Sequence, residues 1–158
     1  MRFSTLLPGF LFASSLGAQP APNHVTDDRA AILAVIDSVF VSMARKDTAL
    51  LNRQFAPGAR LVGVRTRDSS EYMQVLTVEQ FGRFIVNDRR DRWTERAHQP
   101  QVQIEGTLAT VWAPYDFHFG EQLSHCGVDA VQLLRVAGKW SIVSLADTFQ
   151  RTGCPSYQ

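Results

Sequence analysis

A chain of 158 residues, 45% hydrophobic and 20% charged, can bury roughly two-thirds of its unfolded surface around one core, which excludes a disordered or fibrous chain. Lys and Arg number 16 and Asp and Glu 15, so there is no global field to draw in nucleic acid or an acidic membrane. The basic run of Arg89, Arg90, Arg92 and Arg96 is interleaved with Asp88, Asp91 and Glu95. It reads as a locally ion-paired face, with a basic docking patch as the alternative.

In chain order, residues 1–18 have the composition of a secretory signal. Arg2 precedes a largely apolar stretch from Phe3 to Leu16, and Ser14, Ser15, Gly17 and Ala18 are small. The apolar stretch is broken by Pro8 and Gly9 and falls short of the roughly 20 residues of a membrane span. The expectation is export to the periplasm or the medium, with residues 19–26 as a linker. A helix over about 27–46 follows from the stripe Ile32, Ile36, Val39, Phe40, Met43, with Asp27 and Asp28 at its positive end and Arg45 and Lys46 at its negative end. Asp47 caps a shorter helix carrying Leu50, Leu51 and Phe55, ended by Pro57-Gly58.

Residues 59–65 and 71–76 read as short strands. Thr77 and Gln80 form a capping box for a helix that buries Phe81, Phe84 and Ile85. Alternation then predicts strands over about 96–105, 107–119, 122–136 and 139–150, with hairpins at Glu105-Gly106, Gly120 to Gln122 and Ala137-Gly138. Helices first and an antiparallel meander after them make an α+β domain over 27–150, with 151–158 as a C-terminal tail.

The stretch Thr107 to Thr148, with "ATVWAPYDF", "SHCGVD" and "GKWSIVSLADT", resembles the C-terminal half of NTF2-like proteins, the superfamily of ketosteroid isomerase, scytalone dehydratase and the SnoaL-type cyclases. Some small exported relatives carry the label "putative lumazine-binding". The resemblance implies a cone, with N-terminal helices in the concave face of a strongly curved sheet, a pocket between them, and frequent dimers through the outer sheet face. It carries no catalytic role onto any residue by position.

Cys126 and Cys154 in an exported chain are expected to form one disulfide, the alternative being a catalytic thiol, which lacks basic surroundings. Counting register through the hairpins places Val111, Val131, Leu133, Trp140, Ile142 and Ser144 on one face, grading into His98, Tyr115, His125, Asp129 and Thr148. Phe117 falls on the same face. The other face receives Trp112, Pro114, Asp116, His118, Val128, Ala130, Gln132, Leu134, Val143, Leu145 and Asp147, a mixed set that suits a homodimer interface or scattered exposure.

Three function classes follow. The leading one is binding of a small, largely apolar molecule with a carbonyl or hydroxyl, through His98, Tyr115, Phe117, His125, Asp129, Ser144 and Thr148. The second is an isomerase, dehydratase or cyclase in which Asp129 and His125 act as acid and base and Tyr115 as donor. The third is a scaffold without a ligand. No cofactor is expected, and no metal, because the His and Asp residues come from separate strands without a compact ligand motif.

Overall fold

The computed structural model describes residues 24–90 and 92–157. The expected signal over 1–18 lies outside the described residues, as does most of the expected linker. Helix α1 (His24–Arg45) begins before the expected start, and α2 (Thr48–Asn52) follows. Asp47 caps α2 as expected, accepting from the Leu50 N–H at 2.8 Å. Phe55 does not extend this helix. It opens strand β1 (Phe55–Arg67), which carries Pro57 and Gly58 through a register shift between Phe55 and Arg60. β1 turns through Asp68 and Ser69, both at positive φ, into β2 (Ser70–Thr77). The Thr77–Gln80 capping box is formed and starts α3 (Val78–Asn87).

The remaining strands are β3 (Trp93–Ala97), β4 (Gln101–Glu105), β5 (Leu108–Phe119), β6 (Gln122–Val136) and β7 (Lys139–Asp147). They form a seven-stranded sheet in the order β2-β1-β7-β6-β5-β3, with β4 also on β5. The pairs are antiparallel except β1 with β7. The sheet is curved and does not close.

Apolar alternation on the concave face and the stripe on α1 explain the core. Ile32, Ile36, Val39 and Met43 pack against Val111, Val131, Leu133, Trp140 and Ile142, all buried. Asp28, near the N-terminal end of α1, ties the helix to the β6–β7 hairpin. It accepts from Arg135 at 2.7 Å and from the Trp140 indole at 3.1 Å. Phe84, expected on the buried face of α3, is 52% exposed and stands at the open end of the cone.

Two irregularities decide which side chains share a face. The expected strand over 96–105 is broken at His98–Pro100, with Gln99 at positive φ. Between the halves the register moves from Ala97 opposite Tyr115 to Gln101 opposite Trp112. In β6–β7, Leu133 pairs with Ile142 but Gln132 with Ser144, so Val143 is an extra residue. A single bulged residue exchanges the faces of everything beyond it. Leu145 and Asp147 therefore join the concave face, where counting had placed them outside, and Ser144 leaves it.

Candidate functional site

The open end of the cone holds a cavity of about 660 Å³ between α1, α3 and the sheet. Its walls are aromatic and aliphatic, with Phe40, Met43, Phe81, Trp93, Phe117 and Phe119 among them. Trp93 meets Phe117 and Phe119 edge to face at 5.4 and 6.1 Å, a favoured geometry for aromatic pairs. Among the described residues the buried Trp93 indole N–H makes no hydrogen bond of good geometry, although it lies close enough to the Asp88 carboxyl to favour its charged form.

Polar groups converge where β3, β5, β6 and β7 run side by side. Alternation along β3 points Trp93, Glu95 and Ala97 into the cone, and Asp129 on β6 lies opposite Asp147 on β7. The Glu95 and Asp129 carboxyls hydrogen-bond each other. Burial is the main cause that drives the Glu95 carboxyl well above its ordinary range, and the Asp129 and Asp147 charges push the same way. Burial likewise pushes Asp129 up to about 7, against the hydrogen bond from Glu95 that favours its charged form. At neutral pH the pair therefore retains a proton, with Glu95 as donor and Asp129 as acceptor.

Asp147 has a cation. Arg65 on β1 reaches its two oxygens at 2.8 and 3.1 Å. Burial still raises the Asp147 carboxyl, because the charge of Arg65 offsets only part of the lost hydration. Gly63 makes the room for this pair, since a Cβ there would come within 2.3 Å of the Arg65 guanidinium and 2.4 Å of the Asp147 carboxylate.

Tyr115 is buried and points into the cone, as expected, but its hydroxyl donates to the Thr148 carbonyl at 2.8 Å. Its proton is thus engaged by the main chain, and burial raises its pKa above the ordinary phenol range. His125 lies between the rings of Phe117 and Phe149, with centroids 4.6 and 4.1 Å away, and its Nδ1 is 3.0 Å from Ser124 Oγ. Burial and then the charges of Arg65, Arg151 and Arg90 lower its pKa to about 4. It is a neutral imidazole at pH 7, which argues against the expected proton shuttle.

The chain after β7 completes the wall. Gln150 exchanges both backbone hydrogen bonds with Cys126, and the Cys126–Cys154 disulfide is formed. Phe149 and Arg151 are thereby held on the cavity side. Thr148 gives its carbonyl to Tyr115 and its hydroxyl to the Val128 N–H, so it supports the wall through these contacts. Gly127 permits the approach, because a Cβ there would lie 2.1 Å from the Thr148 carbonyl oxygen. Gly127→Ala is expected to cost about 1–3 kcal/mol, as overpacking against main chain does, and urea denaturation will measure it.

Of the expected site residues, Tyr115, Phe117, His125 and Asp129 line one cavity. His98, Ser144 and Thr148 do not, the last because its carbonyl and hydroxyl are engaged within the wall. His98 lies on the outer side, opposite Pro114, stacked on Tyr157 at 3.5 Å, with its Nε2 3.3 Å from Asp116. Ser144 faces outward with Gln101, Gln103, Trp112 and Gln132, in a shallow groove of the outer sheet face. Glu95, Asp147 and Arg65 were missed. The alternation Trp93-x-Glu95-x-Ala97 and the in-strand glycine Gly63 were the available signals. Among the described residues no group of three or more His, Cys, Asp or Glu side chains is arranged to hold a metal ion.

Comparison with known proteins agrees with this architecture. Among solved structures, the chain is similar to an NTF2-like protein of unknown function from Shewanella baltica, at 21% identity over 83% of this chain and 97% of that one, with a TM-score of 0.62. An NTF2-like protein of unknown function from Silicibacter pomeroyi gives 19% identity, 80% and 98% coverage and a TM-score of 0.62. An NTF2-like protein with a cystatin-like fold from Novosphingobium aromaticivorans gives 13%, 82% and 86%, and 0.66. No protein of curated function matches. The model of the family described as "Putative lumazine-binding" matches residues 27–146, and the chain belongs to that family, within the NTF2-like superfamily.

Proposed function

We propose that the protein is exported and binds a small, largely apolar molecule in the cone, meeting the ligand's carbonyl or hydroxyl with the Glu95–Asp129 pair. The observation that carries this reading is the aromatic cavity that contains a proton-sharing carboxyl pair. A half-protonated pair both donates and accepts, so it can pair with either polar group, and the surrounding rings supply a dry wall that strengthens the contact. The family description points to a planar heterocycle as one candidate. The open cavity weighs against a scaffold with a filled lumen. The outer face, with Leu108, Trp112 and Leu134 at 45, 53 and 40% exposure, would seat a second copy, and sedimentation velocity on the mature protein tests for that dimer.

The test of binding uses a naphthyl ketone whose emission shifts to the blue in apolar surroundings. Saturable one-to-one binding is expected, weakened about tenfold in Asp129→Leu, the equivalent of one hydrogen bond of about 1.4 kcal/mol. A linear, unsaturable response from the wild-type protein would refute the reading.

A second reading is favoured by one specific observation, the position of Asp129 at about 7. A carboxyl titrating there can take and return a proton at the working pH. An isomerase, dehydratase or cyclase would use Asp129 as the base and Glu95 as the neutral hydrogen-bond donor, with His125 in neither role. Turnover of a carbonyl substrate that is lost in Asp129→Asn while binding persists would select this reading.

A further inference from the structure

The cavity is electrically graded. Its inner part holds Glu95, Asp129 and Asp147 with Arg65; one shared proton and one arginine against three carboxyls leave it with a net negative charge of about one. Its exposed lining is different. Arg89, Arg90 and Arg151 stand there against Asp88, and Asp88 is ion-paired with Arg90, which holds its carboxyl down at about 2. Among the described residues neither Arg89 nor Arg151 has a side-chain hydrogen-bond or ion-pair partner, and the Arg151 guanidinium lies 5.5 Å from the Phe149 ring centroid. Arg90 lies over Phe119 at 4.0 Å. The Nε and Nη2 of Arg90 are taken by Asp88, whereas Arg151 beside the Phe149 ring can turn its N–H edge to an acceptor. After burial and Arg65, the charges of Arg151 and Arg90 also disfavour the charged form of His125 in the cavity wall.

We propose that the cavity selects amphipathic anions, with the apolar body among the aromatic walls and a carboxylate, sulfonate or phosphate at Arg89 and Arg151. This rests on the cavity being a ligand site and adds the charge class of the ligand. It also gives the basic run of the sequence a role beyond surface ion pairing. Two arginines at an open mouth act as point attractions that salt screens over about 10 Å at 0.1 M.

The test uses a matched pair of probes, N-phenyl-1-naphthylamine and its 8-sulfonate, titrated by fluorescence into the mature protein. The sulfonate is expected to bind roughly tenfold more tightly at low salt. Its advantage should shrink at 0.5 M salt and fall to about threefold or less in the Arg89→Gln, Arg151→Gln double variant, with the neutral probe unchanged. Both residues are exposed, so the variant's melting temperature should stay at the wild-type value, and Arg83→Gln, an exposed arginine outside the cavity lining, serves as the control. Equal affinities for the two probes, or a preference that survives the double variant, would overturn the charge selection while leaving the binding site standing. Failure of both probes to bind would instead remove the binding reading on which the selection rests.

Discussion

Asp129→Asn should be more stable than the wild-type protein at pH 8 by about 2–4 kcal/mol, with the difference vanishing near pH 4. The carboxyl moves from an ordinary 3.8 to about 7 on folding, and each unit is about 1.4 kcal/mol. A raised acid is protonated in the folded chain where the unfolded chain has already lost the proton. Stability is therefore complete below the unfolded value and falls as pH rises to about 7. Glu95 and Asp147, also raised, act in the same direction. His125 acts oppositely, because its folded value of about 4 lies below its ordinary 6.5, so its contribution is present above 6.5 and lost as pH falls to about 4. The wild-type curve is thus held down on both sides, and subtracting the Asp129→Asn curve isolates the one carboxyl. Thermal unfolding from pH 4 to 8 provides both curves. A variant less stable by about 2 kcal/mol or more at every pH would make Asp129 a structural anchor instead.

The second large effect belongs to the disulfide. Cys126 and Cys154 are 28 residues apart, and on the chain-entropy view closing such a loop stabilises by roughly 3–4 kcal/mol. Replacing both with Ser should lower the melting temperature by about 10 °C. Because the bond anchors the segment that presents Phe149 and Arg151 to the cavity, the same variant should also bind the anionic probe less tightly at temperatures where it remains folded. A melting temperature within about 2 °C of wild type would show that the strand pairing of Gln150 with Cys126 suffices to hold the tail.

Most of the fold is legible in the sequence, because its determinants are local or periodic. The α1 stripe, the Asp47 cap, the Thr77–Gln80 box and the Ala137-Gly138 turn each have a short-range cause, and each forms as expected. The expected pairing of Tyr115 with Gly127 also holds, although the turn differs. A tight Gly120-Glu121 turn followed by an extra residue at Ser124 gives the same register upstream as a three-residue turn.

The site was legible only in part, and the failures have one physical source. A bulge is selected by what it allows the sheet to do in three dimensions, and no local pattern announced the one at Val143; the break at His98–Pro100 had a signal in Pro100, which cannot donate to a strand ladder. The first turned Asp147 inward and Ser144 outward, and the second turned His98 outward. Glu95 was hidden differently. Its charged neighbours made a solvated face the natural reading, whereas the alternation with Trp93 and Ala97 fixes its direction. Gly63 and Gly127 carried usable signals, since a glycine inside a strand often marks a close approach by another group, here the Arg65–Asp147 pair and the Thr148 carbonyl.

The central claim, that the cavity contains a carboxyl pair retaining a proton at neutral pH, is tested most directly by carbon-13 NMR. Side-chain carboxyl shifts of the labelled protein, assigned with Asp129→Asn and Glu95→Gln, would be followed from pH 4 to 9. The pair should titrate in two apparent steps, the lower near 7 and the upper above it, and loss of either partner should collapse them to one. If both carboxyls titrate below pH 5, the pair is fully ionised at neutral pH, and neither ligand binding through its proton nor acid–base chemistry at Asp129 can stand.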